Sequence, residues 1–595
     1  MIERLARSGG GRNRDDRIRA RARTAPSDDR SPDRILGTLA DLRLPLVWWT
    51  VLVAVSLAVR PPIPVDETRY LSVAWEMWAS GDLLVPALNG VAYSHKPPLL
   101  FWLIHAGWAL FGVQSWWPRL VPALSALAAV WLTALLAREL WPERRALPAR
   151  AGAVVQGFLL CVVLVTMLLF DPLLMACTAL ADLGLVRAAR RGSVGAWGLA
   201  GLGIGLGVLA KGPVILVPIL PVILAGPWWA SGLREPGTGA PRGEHRDADP
   251  PAGPGPAHWF AGALGALALG AALAGAWALP AAHAGGPEYA RAILYGQTAG
   301  RLADSFAHQR PWWWYLPLLP VVFYPYSFCP SVYRGIYRMV SREAGRLRAV
   351  ASEPGVRFAL AGTVPAFVAF SLISGKQPHY LAPLLPAAAL LVARLLELVP
   401  RPGRRDLVLP VLFPLVVAVG LTAIPGVAGL AGLPGWTSEL SPGAGLLLGA
   451  TVVVAAFFLG RWRLSPHRNL GVLSVAVVIG IYLALSPALV EPFDLKPVAD
   501  YVHMAERRGR PVAHVGHYEG ELHFLGRLRR PFAEIDAAGA ARWIADHPDG
   551  LVIVHYGDPD SVDLSAAVFV HPSRGQTLAV WDRESFAGGA VLSGW

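Results

Sequence analysis

Acids and cations recur together in this chain where apolar runs end. Asp66, Glu67, Arg69 and Tyr70 lie in "PVDETRY" (64–70), just past the first long apolar run, and Tyr93, His95 and Lys96 lie in "YSHKPP" (93–98). Asp171 sits in "LLFDPLL", Lys211 in "AKGP", His308 and Arg310 in "HQRPWWWY", and Lys376 and Tyr380 in "SGKQPHYLAPLLP". A rim that mixes carboxylates with Lys and Arg suits one kind of chemistry. The cations hold an anionic head group while a carboxylate takes a proton or stabilises developing positive charge.

Each residue also has a structural reading. Asp66 before Glu-Thr-Arg is a good helix N-cap, and Asp171-Pro172 reads as an N-cap followed by Pro at the first helical position. Lys96 and Lys211 can snorkel from helix ends, and Trp312, Trp313 and Trp314 suit an interfacial belt. Arg291 and Arg301 pair with Glu288 and Asp304 on a solvated helical face. Convergence favours a shared site, because cations on the translocated side oppose the topological bias and still recur beside tight Pro and Gly turns.

The elements that must position these residues are membrane helices. Of 595 residues, 54% are hydrophobic and only 16% charged, with 23 Trp and a mean hydropathy of +0.44. Apolar runs of about 17–25 residues recur, each long enough to cross roughly 30 Å of hydrocarbon. The expected spans are 44–60, 118–138, 151–170, 172–187, 195–210, 212–229, 259–281, 312–330, 357–374, 380–398, 407–430, 443–460 and 470–489, about thirteen in all. The pair on either side of Lys211 has an alternative as one long helix with a break. The apolar piece 99–112 is too short for a span and is read as a partly inserted helix.

With that choice the basic segments 187–192, 231–257, 333–350, 401–406 and 461–468 all fall on the cytoplasmic side, as the positive-inside rule requires. The net charge of +12 is therefore read as orientation, and nucleic acid is not expected as a partner. The N-terminus is expected in the cytoplasm and the C-terminus outside, in a bacterial-type inner membrane. Residues 1–40 read as a disordered basic tail, 41–490 as the membrane domain, and 61–98 as a structured first external loop. Within that loop Leu71, Ala74, Trp75 and Trp78 form the apolar stripe of a helix lying on the membrane surface. Residues 491–595 alternate strand-like runs with helical ones and read as a small external α/β domain. In it "HVGHYEGELH" gathers His514, His517, Glu519, Glu521 and His523. This cluster reads as scattered surface polarity, since its spacing fits no standard metal site. Cys161, Cys177 and Cys329 lie in apolar runs and imply no disulfide framework.

The segment "DETRYLSVAWEMWASGDLLVPALNGVAYSHKPPLLFWL" (66–103) resembles the first external loop of bacterial GT-C glycosyltransferases of the aminoarabinose transferase and protein mannosyltransferase-like superfamily. The family pattern is DE-x-R-Y, then SGD, N-G and K-P-P. "DPLL", "KGP", "HQRPWWWY" and "GKQPHYLAP" match later family pieces in order, across nearly the whole membrane part. The resemblance implies transfer of a sugar from a polyprenyl-phosphate carrier to a lipid A-like lipid, cell-envelope glycan or protein acceptor, with inversion at the anomeric carbon. It makes Asp66 the leading catalytic carboxylate, with Glu67 beside it and Asp171 near the reacting centre. It places Arg69, Lys96 and Lys211 on the donor phosphate, with Tyr70, Tyr93, His95, His308, Arg310, Lys376 and Tyr380 around the substrate cavity. One departure stands out: aminoarabinose transferases commonly carry an acid before the motif Lys, and here that residue is His95. A metal or acceptor contact of that acid is not carried over, and a divalent metal is left open. A transporter or flippase for a lipid-linked anionic sugar is the alternative, and it calls for midplane charges and a repeat of broken helices.

Overall fold

The computed structural model describes residues 43–233, 255–300, 309–340, 350–399, 403–427, 440–461, 466–557 and 562–586. The segment 1–40, His308, Arg301 and Asp304 lie outside these residues. Among the described residues nine helices are long and apolar enough to cross a membrane: Trp116–Leu140, Asp171–Arg191, Val194–Lys211, Pro256–Ala284, Pro354–Leu372, Pro378–Glu397, Arg405–Gly426, Pro442–Arg461 and Leu470–Ala488. A tenth results if Leu147–Gly157 and Leu159–Val165, bent by 70° about Phe158, count as one span. The first expected span is a helix of 17 residues, Arg43–Val59.

Two expected spans are broken by proline. Over 312–330 the chain forms only 3-10 turns (Trp312–Leu318 and Tyr326–Phe328) around one short helix, Leu319–Val322. Pro317, Pro320, Pro325 and Pro330 withdraw amide donors from that stretch, which a long helix cannot absorb. Over 212–229 Gly212, at φ +79°, ends the helix before it, and a 3-10 turn and the short helices Leu216–Leu224 and Gly226–Trp229 follow. The segment 99–112 forms the 13-residue helix Leu99–Phe111.

Helix Asp171–Arg191 is wedged between Trp116–Leu140 and Val194–Lys211. Small residues set that contact. A Cβ on Gly184 would fall 2.3 Å from the Ala200 amide nitrogen, and one on Gly203 would fall 2.5 Å from that of Ala181. Such close backbone approach is how helices pack where lipid tails offer no hydrophobic drive.

The C-terminal sheet has the order β4-β3-β5-β7-β6. Its strands are β3 (Val512–Val515), β4 (Ala533–Ile535), β5 (Leu551–Tyr556), β6 (Phe569–Ser573) and β7 (Gln576–Trp581). β3 runs parallel to β4 and β5, while β7 runs antiparallel to β5 and β6. Along β5, Leu551 and Ile553 pack under helix Lys496–Arg507, whereas Val552 and Val554 pack under helix Ala537–Asp546. Both faces are covered, so β5 reads as an unbroken apolar run.

The helix expected on the membrane surface runs from Asp66 to Ser80 and is buried on most sides. The C-terminal domain covers it through Ser72, on a polar face, and through Trp75, a residue of the stripe expected to meet the membrane. Ser72 Oγ donates to Gly520 O at 2.5 Å and accepts from Phe524 N at 3.0 Å, and Trp75 Nε1 donates to Leu528 O at 2.7 Å. Behind it the two-residue strands Ala87–Leu88 (β1) and Val91–Ala92 (β2) form a hairpin across Asn89-Gly90, both residues at positive φ. Asn89 bonds Phe532 in both directions, accepting from its amide at 2.7 Å and donating to its carbonyl at 3.0 Å.

Candidate functional site

Asp66 is the first helical residue after Val65, and no side chain caps this helix. Its half-exposed carboxylate bonds Arg69 Nη2 instead, one turn along the same helix. Arg69 Nη1 reaches across to Glu519 of the C-terminal domain. Asp171 likewise starts its helix without capping it, and its Oδ1 accepts from Lys211 Nζ at 2.6 Å. The N-cap readings of both acids therefore give way to ion pairs.

Around Asp171 the chain brings more of the expected residues together. Lys211 Nζ stands 4.5 Å from the centre of the Tyr380 ring. Lys96 Nζ stands 5.9 Å from the centre of the Phe170 ring, against whose face Tyr70 packs edge-on at 4.9 Å. Tyr70 and Tyr93 are buried and lie near the Arg69 guanidinium, and the His95 ring sits 5.1 Å from that of Tyr93. His379 joins the two halves: its Nε2 is 3.9 Å from Asp171 Oδ2, its ring packs edge-on to Tyr380, and it lies within electrostatic reach of Lys211, Asp66 and Lys96. One end of the bundle thus carries a half-exposed acid, Asp66, above a buried Asp171–Lys211 pair, with His379 between them.

Glu67 does not face this rim. Its fully buried carboxylate takes two bonds from Arg60, at 2.7 and 2.8 Å, and accepts from the amides of Ile63 at 2.8 Å and Leu168 at 2.7 Å. Burial pushes the Glu67 carboxyl up, but the Arg60 guanidinium, Arg119 and the Ile63 amide together outweigh burial and hold it below the usual carboxylate range. Arg60 also donates to Thr166 O, and Arg119 buttresses it by donating to Arg60 O at 3.2 Å and Ser56 O at 2.7 Å. Placed beside Asp66 in sequence, Glu67 points the other way because neighbours on a helix are about 100° apart.

Lys376 is also turned inward. Its buried ammonium donates to Arg310 O at 2.9 Å and Ile373 O at 2.5 Å, while Arg310 N donates to Ser374 O at 3.0 Å. The residue latches two loops together. The exposed Arg310 side chain stacks 5.8 Å from Trp314, and Trp312 and Trp313 are exposed as an interfacial belt would be.

The C-terminal cluster departs from surface polarity. His514, Glu521 and His523 are buried, and burial pushes the His523 imidazole down to about 4. Tyr518 Oη lies 2.9 Å from His523 Nδ1, and His517 pairs with Glu534 at 3.0 Å. Among the described residues no group of three or more His, Cys, Asp or Glu side chains is placed to hold a metal ion. With Asp171 turned to Lys211 and His379, and Asp66 to Arg69, the donor set does not fit a divalent ion.

Arg60 and His379 gave no signal in the sequence, and Glu519 stood there only as surface polarity. His379 lies inside the "GKQPHYLAP" motif, next to Tyr380, but a 3-10 turn over Pro378–Leu384 decides which side chain meets Asp171.

The architecture is that of the GT-C membrane fold. Superposition on the crystal structure of ArnT from Cupriavidus metallidurans in the apo state gives a TM-score of 0.65 at 20% identity, covering 91% of this chain and 97% of that one. The same protein bound to undecaprenyl phosphate gives 0.63 at 20% identity, with the same coverage. In sequence, residues 95–238 match the family model described as dolichyl-phosphate-mannose-protein mannosyltransferase. The undecaprenyl phosphate-alpha-4-amino-4-deoxy-L-arabinose arabinosyl transferase of Pseudomonas aeruginosa PAO1 is 34% identical over 341 residues, 56% of this chain and 55% of that protein. A second from Pseudomonas fluorescens Pf0-1 is 31% identical over 342 residues, 55% of this chain and 53% of that protein. The chain spans about half the length of the curated relatives it matches. It resembles the aminoarabinose transferases in fold and in sequence, as its first-loop motif implied.

Proposed function

We propose that this chain is an integral-membrane glycosyltransferase that moves a sugar from a polyprenyl-phosphate carrier to a lipid, glycan or protein acceptor at the external face. The rim faces outward in this reading, with the N-terminus cytoplasmic and the C-terminal domain periplasmic. The observation that carries it is the setting of Asp66: half-exposed, bonded to Arg69, and sharing its electrostatic neighbourhood with Lys96 and His379. Support comes also from the fold shared with ArnT and from the arabinosyl transferases that the sequence matches.

In this mechanism the acceptor oxygen attacks the anomeric carbon from the face opposite the phosphate, so the configuration inverts. The acceptor proton passes to Asp66 as the new carbon–oxygen bond forms. The bond from the anomeric carbon to the phosphate oxygen breaks, and the electron pair leaves with the polyprenyl phosphate. Lys96 and Arg69 hold that phosphate and stabilise its growing charge. A phosphate is a good leaving group, so little acid catalysis is needed. Asp171 acts as a positioning residue that holds Lys211 against Tyr380 at the wall of the cavity. Glu67 braces the start of the Asp66 helix.

The test compares purified wild type with Asp66→Asn, given radiolabelled polyprenyl-phosphate sugars, total membrane lipid and cell-wall extract. Labelled product from wild type alone supports the reading and identifies the acceptor pool. Equal product from both removes Asp66 from the chemistry.

A further inference from the structure

The C-terminal domain reaches the rim through the side chain of Glu519. Glu519 lies in the turn after β3 and pairs with Arg69, and the neighbouring Gly520 carbonyl is fixed by Ser72 on the Asp66 helix. Gly520 has φ +80°, a left-handed backbone that favours glycine, and a Cβ there would meet the Leu88 Cδ1 methyl at 2.4 Å, so the turn is seated against the first loop. Arg69 is thereby stretched between two carboxylates, Asp66 at one terminal nitrogen and Glu519 at the other. A phosphate arriving at Arg69 meets a guanidinium whose two forks are already occupied by anions.

Resting on the reading proposed above, we infer that Glu519 is a positioning residue for the donor site, a resident counter-ion that holds Arg69 open and is exchanged for the phosphate of a polyprenyl monophosphate when the donor binds. Two consequences follow from charge alone. Glu519 competes with the donor phosphate for Arg69, so its negative charge weakens donor binding. It also pulls Arg69 away from a full pairing with Asp66, leaving the Asp66 carboxylate freer to take a proton. A side chain that merely glued the domain in place would do neither.

The experiment uses the full chain in lipid nanodiscs and measures binding of a radiolabelled polyprenyl monophosphate that carries no sugar. Wild type, Glu519→Gln, Glu519→Asp, Arg69→Ala and the double variant Arg69→Ala/Glu519→Gln are compared. The expected result is that Glu519→Gln binds roughly three- to tenfold more tightly than wild type, the scale of one partly exposed charge pair. Glu519→Asp should stay near wild type, and the gain should vanish in the Arg69→Ala background. In the transfer assay Glu519→Gln should lower the donor KM and kcat together, whereas a loosened domain would lower kcat with an unchanged or raised KM. If Glu519→Gln binds no better than wild type while Arg69→Ala binds worse, the counter-ion role is overturned and the donor site stands. If wild type itself shows no saturable binding, the donor reading falls and the role of Glu519 falls with it.

Discussion

Lys211, the last residue of its helix, donates to Asp171, the first residue of the helix before it, at 2.6 Å. The two helices are joined only through Gly192 and Ser193, so they run antiparallel and these two ends come together. Each charge sits where the helix dipole favours it, an acid at an N-terminus and a cation at a C-terminus. The pair is nearly buried, with side-chain exposures of 3% for Asp171 and 12% for Lys211.

Removing one member should therefore cost more than removing both. Lys211→Met leaves a buried carboxylate without its partner and should destabilise the protein by about 3–5 kcal/mol, read as a lowered Tm in detergent. Asp171→Asn/Lys211→Met should recover most of that stability. Transfer activity separates the two roles of the pair. A double variant that is stable and still inactive places the pair at the site, while one that is stable and active makes it a brace.

The Glu67–Arg60 contact predicts an acid limit. The folded-state pKa of Glu67 is lowered because Arg60, Arg119 and the Ile63 amide together outweigh burial. A group of this sign adds stability that is fully present above its unfolded value and is lost as pH falls through the folded one. Unfolding of wild type should accordingly become easier as pH drops below about 4.5. Glu67→Gln should be less stable than wild type at pH 7, and the difference between them should shrink on acidification. A Tm difference that stays constant from pH 7 to pH 3 would rule this account out.

The fold was largely legible because membrane helices announce themselves by length and apolarity, and because β5, β6 and β7 have distinct apolar runs. The span expected over 312–330 failed because hydropathy does not register four prolines. Strand β4 is only three residues, Ala533–Ile535, too short to leave a periodic signal, while helix Lys496–Arg507 carries one in Val498, Ala499, Val502 and Ala505 but begins straight after the last membrane helix and so does not stand apart from it. In the site, the fold brings Asp66, Arg69, Lys96, Asp171 and Lys211, from motifs far apart in the chain, to one end. Direction was not legible. Glu67 and Lys376 lie in the right motifs yet point into buried networks, and Glu519 comes from 450 residues away along the chain. Arg60 looked like the end of an apolar run and proves to be the partner of a buried acid.

Asn89 offers a test of how the C-terminal domain is held. Its side-chain amide satisfies both backbone groups of Phe532, and Asn89→Ala leaves them without those bonds. Losing hydrogen bonds in a buried site costs about 1–3 kcal/mol. Hydrogen exchange should accelerate around residues 528–535 and in the 87–92 hairpin, with the membrane helices unchanged. Uniform acceleration across the whole chain would mean that Asn89 supports global folding instead of docking.

Lys96 and Lys376 make the sharpest contrast, since both are lysines of rim motifs with opposite settings. Lys96 lies beside Phe170 and within reach of His379 and Asp171, while the Lys376 ammonium is buried on two carbonyls. Lys96→Ala should raise the donor KM by roughly tenfold or more, the loss of a charge-assisted contact, with little change in Tm. Lys376→Ala should do the reverse, lowering Tm through about 1–3 kcal/mol of lost hydrogen bonding and leaving the donor KM close to wild type in whatever fraction stays folded. Arginine sharpens the distinction. At position 96 a guanidinium still meets a phosphate, so Lys96→Arg should restore much of the affinity, but the planar fork does not fit the pocket that a point-like ammonium fills at position 376. Rescue by arginine at both positions, or at neither, would contradict the assignment of one lysine to the donor and the other to the loop latch.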